Sequence, residues 1–102
     1  MPFEGISIKP GVRIRGLSTP ALLAINIAAE VYRKVDEDFV ITSVTDGDHK
    51  SGSLHHVGDA FDLRLPKSYN PVIVVGYIRE RLGSEFDVVL EKDHIHIEYD
   101  PG

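Results

Sequence analysis

Apolar residues recur along this chain with two different periods, and each change of period marks an element. In "STPALLAINIAAEVYRKV" the residues Leu22, Ile25, Ala29 and Tyr32 return at helical spacing. Ser18 or Thr19 can cap this segment and Pro20 suits a first turn, so a helix is predicted to run to about Lys34. The β-branched "FVITSV" predicts a strand that ends at the turn-forming "TDGD", followed by a loop through "HKSGSLHHVGD". In "AFDLRL" the pattern alternates: Phe61, Leu63 and Leu65 fall on one face of an extended strand, Ala60, Asp62 and Arg64 on the other. Pro66 stops pairing, and "SYNPVIVVGYIRERLG" predicts a second helix capped by Asn70, with Pro71 in the first position, Gly83 as the exit and Gly76 as a weak point. "FDVVL" and "HIHIEY" are two short strands joined across Glu91, Lys92 and Asp93, close enough for an antiparallel hairpin. The last strand splits as "AFDLRL" does, with Ile95, Ile97 and Tyr99 on one face and His94, His96 and Glu98 on the other.

The order helix, strand, loop, strand, helix, hairpin predicts an α+β domain, a small antiparallel or mixed sheet with helices packed on one face. At 102 residues a single domain spanning 1–102 is expected, with one modest core. A hydrophobic fraction of 42% with 26% charged residues is that of an ordinary soluble globular chain, and no apolar run is long enough to cross a bilayer, so no membrane partner is expected. The formal charge of −5 counts against sequence-independent nucleic-acid binding, which needs Lys and Arg on phosphates. Lys9, Arg13 and Arg15 read as a solvated edge, and a monomer is expected. "MPFEGISIKPG" lacks a basic stretch followed by an apolar one, so synthesis in a cytoplasm without a signal peptide is the expectation.

The absence of cysteine removes disulfides, thiolate nucleophiles and thiolate-bound zinc, leaving His, Asp and Glu for any metal. If the two alternating strands share a sheet, Asp62 and the His94/His96 pair converge on the side away from the core. His55 can fold over the same spot, because Gly58 allows a tight turn. Two imidazoles and a carboxylate would then surround one point. Three protein ligands with water in the fourth place are the usual make-up of a catalytic zinc site, whereas structural sites are closed by four ligands. Bound zinc lowers the pKa of its water to about 7, and a nearby base must take the proton. Glu91, Asp93 and His94 are the candidates. A single loop histidine is ordinarily just a polar surface residue, and His49 and His56 stay under that reading. For His55, Asp62 and His96, residue chemistry alone leaves a metal site and an ordinary polar face both open.

These residues resemble the zinc D-alanyl-D-alanine metallopeptidases, a family that shares its fold with the hedgehog signalling domain. The first motif of that family, S-x-H-x-x-G-x-A-x-D, is matched in full by Ser53, His55, Gly58, Ala60 and Asp62. The second, H-x-H near the C-terminus, is matched by His94 and His96. The order of elements agrees from about Thr19 to Tyr99, and the likeness is strongest to short single-domain members found in bacteriophages and prophages.

The resemblance implies zinc as cofactor, held by His55, Asp62 and His96, with His56 a bystander. An acidic residue three before the last ligand is the general base proposed in many members, which here is Asp93; in others the first histidine of H-x-H assists, here His94. Glu91 fits only if His94 were the ligand, an arrangement that E-x-x-H spacing also permits. In one respect the chain departs from the pattern. Many relatives carry a substrate-holding arginine just after the strand corresponding to "FVITSV", where this chain has "TSVTDGDHK", so His49 or Lys50 would have to supply a replacement donor.

The resemblance therefore implies a zinc metallopeptidase acting on D-amino-acid-containing peptides, with peptidoglycan stem peptides as substrate. Cleavage would fall at a terminal D-alanine, as in a carboxypeptidase, or at an L-alanyl-D-glutamate bond, as in an endopeptidase. Action on the cell wall without a visible signal suits a phage lysis enzyme of endolysin type, or one carried in a virion. The alternatives on the same fold are a non-catalytic zinc-binding module, as in hedgehog proteins, and a structural component of a phage particle. Asp93, a proton acceptor beside the site, favours the enzyme.

Overall fold

A computed structural model describes residues 5–45 and 59–101, which form β1 (Ile6–Ile8), α1 (Thr19–Lys34), β2 (Phe39–Thr45), β3 (Ala60–Arg64), α2 (Pro71–Leu82), β4 (Phe86–Leu90) and β5 (His94–Tyr99). Both helices begin on side-chain caps. Ser18 Oγ accepts the Ala21 N–H at 3.3 Å and Asn70 Oδ1 accepts that of Val72 at 2.9 Å, each relieving one of the unpaired donors of a first turn. Helix α2 ends at Gly83, whose φ of 83° lies where a Cβ would be strained. It runs unbroken through Gly76, because Val74, Val75 and Ile78 bury around that position and packing outweighs the poor local propensity.

The sheet is mixed, in the order β1-β2-β3-β5-β4, with β1 and β2 parallel and every other pair antiparallel. Strands β3 and β4 both run against β5, so the α2 crossover between them leaves a slot that β5 fills, a split β–α–β arrangement. This is an α+β domain with a five-stranded mixed sheet and two helices. Phe61 and Leu63 of β3 and Ile95 and Ile97 of β5 are fully buried, in one core with Ile25 and Tyr32 of α1 and Val74 and Ile78 of α2. The predicted split of both strands therefore holds, except that Ala60, on the outer face with Asp62, is also fully buried. Among the described residues no helix is long and apolar enough to cross a membrane.

Two contacts lock β3 in place. The Tyr32 hydroxyl donates to the Arg64 carbonyl at 2.6 Å, tying α1 to the end of the strand, and burial pushes that hydroxyl well above its ordinary pKa. Just beyond the strand, the Glu37 carboxylate accepts three backbone N–H groups, those of Lys67 at 2.7 Å and of Ser68 and Tyr69 at 2.8 Å each. The N–H groups of Lys67 and Ser68 are the main reason the Glu37 carboxyl titrates below its usual range. Because the folded state binds that proton less tightly than the unfolded chain, the stabilisation is complete above the unfolded carboxyl pKa of about 4.3 and fades as pH falls through the lower folded value. Glu37→Gln is expected to melt at a lower temperature than wild type at pH 7, with the gap narrowing steadily below about pH 4. Melting curves at pH 7 and pH 3 check this, and a gap that stays constant would show that the charge of the carboxylate contributes nothing.

Candidate metal centre

The β3/β5 register sets Asp62 opposite His96, Arg64 opposite His94 and Ala60 opposite Glu98. Since alternate residues of a strand share a face, Asp62, His94, His96 and Glu98 emerge together on the side of the sheet away from the helices. His96 stands between two carboxylates: its Nδ1 lies 2.7 Å from Asp62 Oδ1 and its Nε2 lies 3.1 Å from Glu98 Oε1. With both nitrogens protonated the ring donates to both acids. The hydrogen bond to Asp62, reinforced by Glu98 and opposed by burial, pushes the imidazole up to about 9. The side chains of His96, Glu98 and Asp62 are only 25%, 20% and 17% exposed, so little water competes for these contacts.

His94 lies beside this group. Its Nδ1 is 2.7 Å from Asp93 Oδ1 and its Nε2 is 3.8 Å from Asp62 Oδ1. The bond to His94 holds the Asp93 carboxyl below the usual range, and the Asp93 side chain is 86% exposed. A cleft of about 380 Å³ runs along this edge, lined by Lys9, Thr42, Asp62, Arg64, Asp93 and His94. Thr42 reaches it from a bulge in β2, where Ile41 pairs with Leu63 and Ser43 with Asp62, leaving Thr42 as the extra residue. Its hydroxyl donates to the Asp62 carbonyl at 3.4 Å.

Of the residues singled out in the sequence, the fold brings together Asp62, His96, His94 and Asp93. Glu91 is not among the residues lining the cleft; its N–H donates to the His94 carbonyl at 2.8 Å and closes the hairpin. His55 lies outside the described residues, as do Ser53, Gly58, His49, Lys50 and His56. Glu98, Lys9 and Arg64 were not picked out as site residues by the sequence. Glu98 had one visible signal, the two-residue spacing that puts it on the same strand face as His96.

Among the described residues, no three His, Asp or Glu side chains are arranged to hold a metal ion. The Asp62–His96 pair offers two donors of the type an N/O zinc site uses, and the far nitrogen of the ring rests on a carboxylate, as ligating histidines generally do; their 2.7 Å contact is a hydrogen bond that would open to admit an ion. Asp62 and His96 would hold the ion once the proton of their hydrogen bond is released. In comparison with known proteins, the chain matches no family model, no curated protein and no solved structure.

Proposed function

We propose that this chain is a zinc-dependent peptidase with the fold of the D-alanyl-D-alanine metallopeptidases, hydrolysing D-amino-acid-containing peptides of the peptidoglycan stem. One observation carries the reading. Asp62 and His96 belong to separate motifs 34 residues apart, and their ligating atoms meet at 2.7 Å on the polar face of the sheet. His55 would complete the ligand set. His96 is the ligand the resemblance implies, and its Nδ1 lies 2.7 Å from Asp62 Oδ1, with His94 Nε2 at 3.8 Å from the same oxygen.

When bound, zinc polarises the scissile carbonyl and makes water acidic enough to ionise near neutrality. The remaining work falls to side chains lining the cleft. Asp93 accepts the proton of the attacking water and returns it to the leaving amine. With Nδ1–H held by Asp93, His94 has a proton on Nε2 to give only as an imidazolium, and in that form it donates Nε2–H to the oxyanion that forms on the carbonyl. Lys9 and Arg64 give the cleft the positive charge that a substrate carboxylate needs, a task for which the sequence offered only His49 and Lys50.

The test is digestion of purified peptidoglycan by the zinc-reconstituted protein, with released fragments read by mass. Release of D-alanine, or scission between L-alanine and D-glutamate, is expected, and a chelator should abolish it. Intact peptidoglycan alongside a tightly bound zinc would instead support the non-catalytic module.

A further inference from the structure

We infer that Glu98 is the positioning residue of the metal centre: by holding the outer nitrogen of His96 it presents the inner one to Asp62 and to the ion that the two would share. The inference rests on the zinc reading above and adds a residue to it. His96 Nε2 is 3.1 Å from Glu98 Oε1 while Nδ1 is 2.7 Å from Asp62 Oδ1, so the two carboxylates address opposite sides of one ring. A neutral imidazole has a single N–H, and a ligating nitrogen must give its lone pair to the metal. With Nδ1 on the ion, the proton has to remain on Nε2, and Glu98 is the acceptor that stabilises this tautomer. Asp62 cannot serve, being the other ligand. Strand geometry makes the arrangement robust, because His96 and Glu98 are two apart on β5 and share a face without help from any loop. A carboxylate behind the ring also makes the imidazole a stronger donor to the metal.

The experiment uses the full chain and three variants: Glu98→Ala, the isosteric Glu98→Gln, and Asp87→Asn as a charge control. Asp87 lies opposite Glu98 in the β4/β5 register, so its neutralisation changes the local charge by the same amount and leaves the His96 hydrogen bond in place. Zinc affinity is measured by competition with a chromophoric chelator, the electronic spectrum is recorded with Co²⁺ in place of zinc, and far-UV circular dichroism of the metal-free proteins reports the fold. Glu98→Ala is expected to lose about 10–100-fold in zinc affinity and to shift the Co²⁺ bands with unchanged dichroism. Glu98→Gln, whose amide oxygen still accepts from Nε2–H, should recover part of that loss, and Asp87→Asn should match wild type. Wild-type affinity and spectrum in Glu98→Ala would overturn the inference, as would an equal loss in Asp87→Asn, which would assign the effect to net charge. A wild-type protein that binds zinc but leaves peptides uncut would sink the peptidase reading and leave Glu98 standing. One that binds no zinc would remove both.

Discussion

Asp62→Ala is expected to leave a protein that retains no zinc through dialysis and cleaves no peptide. The Asp62 carboxylate is the meeting point of the centre: Oδ1 lies 2.7 Å from His96 Nδ1 and 3.8 Å from His94 Nε2, and its side chain is only 17% exposed. Removing it deletes one of three proposed ligands and leaves no other described carboxylate on the inner side of His96. Open three-ligand sites have no spare donor to compensate. Zinc per chain after dialysis, measured by atomic emission, and stem-peptide hydrolysis check the outcome, with His56→Ala as the control expected to keep both. Asp62→Ala protein that still carries one zinc per chain and still turns over would remove Asp62 from the ligand set. Loss of zinc in His56→Ala with retention in His55→Ala would show that the first motif is read in the wrong register.

Asp93→Asn should keep its zinc and lose turnover by on the order of a hundredfold or more, the usual cost of removing general acid–base help. The substitution separates two roles. An asparagine oxygen can still accept the His94 Nδ1–H now held at 2.7 Å, so ring orientation survives while the capacity to take a proton is lost. If Asp93 served only to orient His94, the variant would stay close to wild type. Glu91→Gln should change little, because that residue is not among those lining the cleft. In the other register, with His94 as ligand and Glu91 as base, the two phenotypes exchange and His96→Ala retains zinc. Metal content and rates for the three variants decide between the registers, and three fully active, zinc-loaded proteins would put catalysis elsewhere in the chain.

Much of the fold is written in local signals. Ser18, Asn70, the two prolines at 20 and 71 and Gly83 mark both helices, because capping and φ preferences act within a turn. The faces of β3 and β5 follow from alternation, and with them the meeting of Asp62, His94 and His96. What escaped the sequence is non-local. Strand β1 is three residues long, too short to show a period, and is defined only by its pairing with Phe39–Ile41 of β2. Nor does alternation reveal that β5 lies between β3 and β4, since the inner face of a central strand reads the same in any order. The bulge that turns Thr42 into the cleft, and the ring rotation that sends the two nitrogens of His96 to different acids, depend on cross-strand partners that no single segment encodes. His55 falls outside the described residues.

The slot between β3 and β4 has a consequence for how the centre comes into being during folding. The β4–β5 hairpin is closed by a short turn and can form within microseconds, whereas the β3/β5 ladder must join residues as far apart as Ala60 and Glu98, with α2 and β4 already accommodated between them. Neither segment alone holds both proposed ligands: the hairpin carries His94, His96 and Glu98 without Asp62, and β3 carries Asp62 without an imidazole. The two motifs are therefore brought into contact by the non-local β3/β5 pairing, so an ion held by the proposed Asp62–His96 pair would be captured only once that ladder has closed.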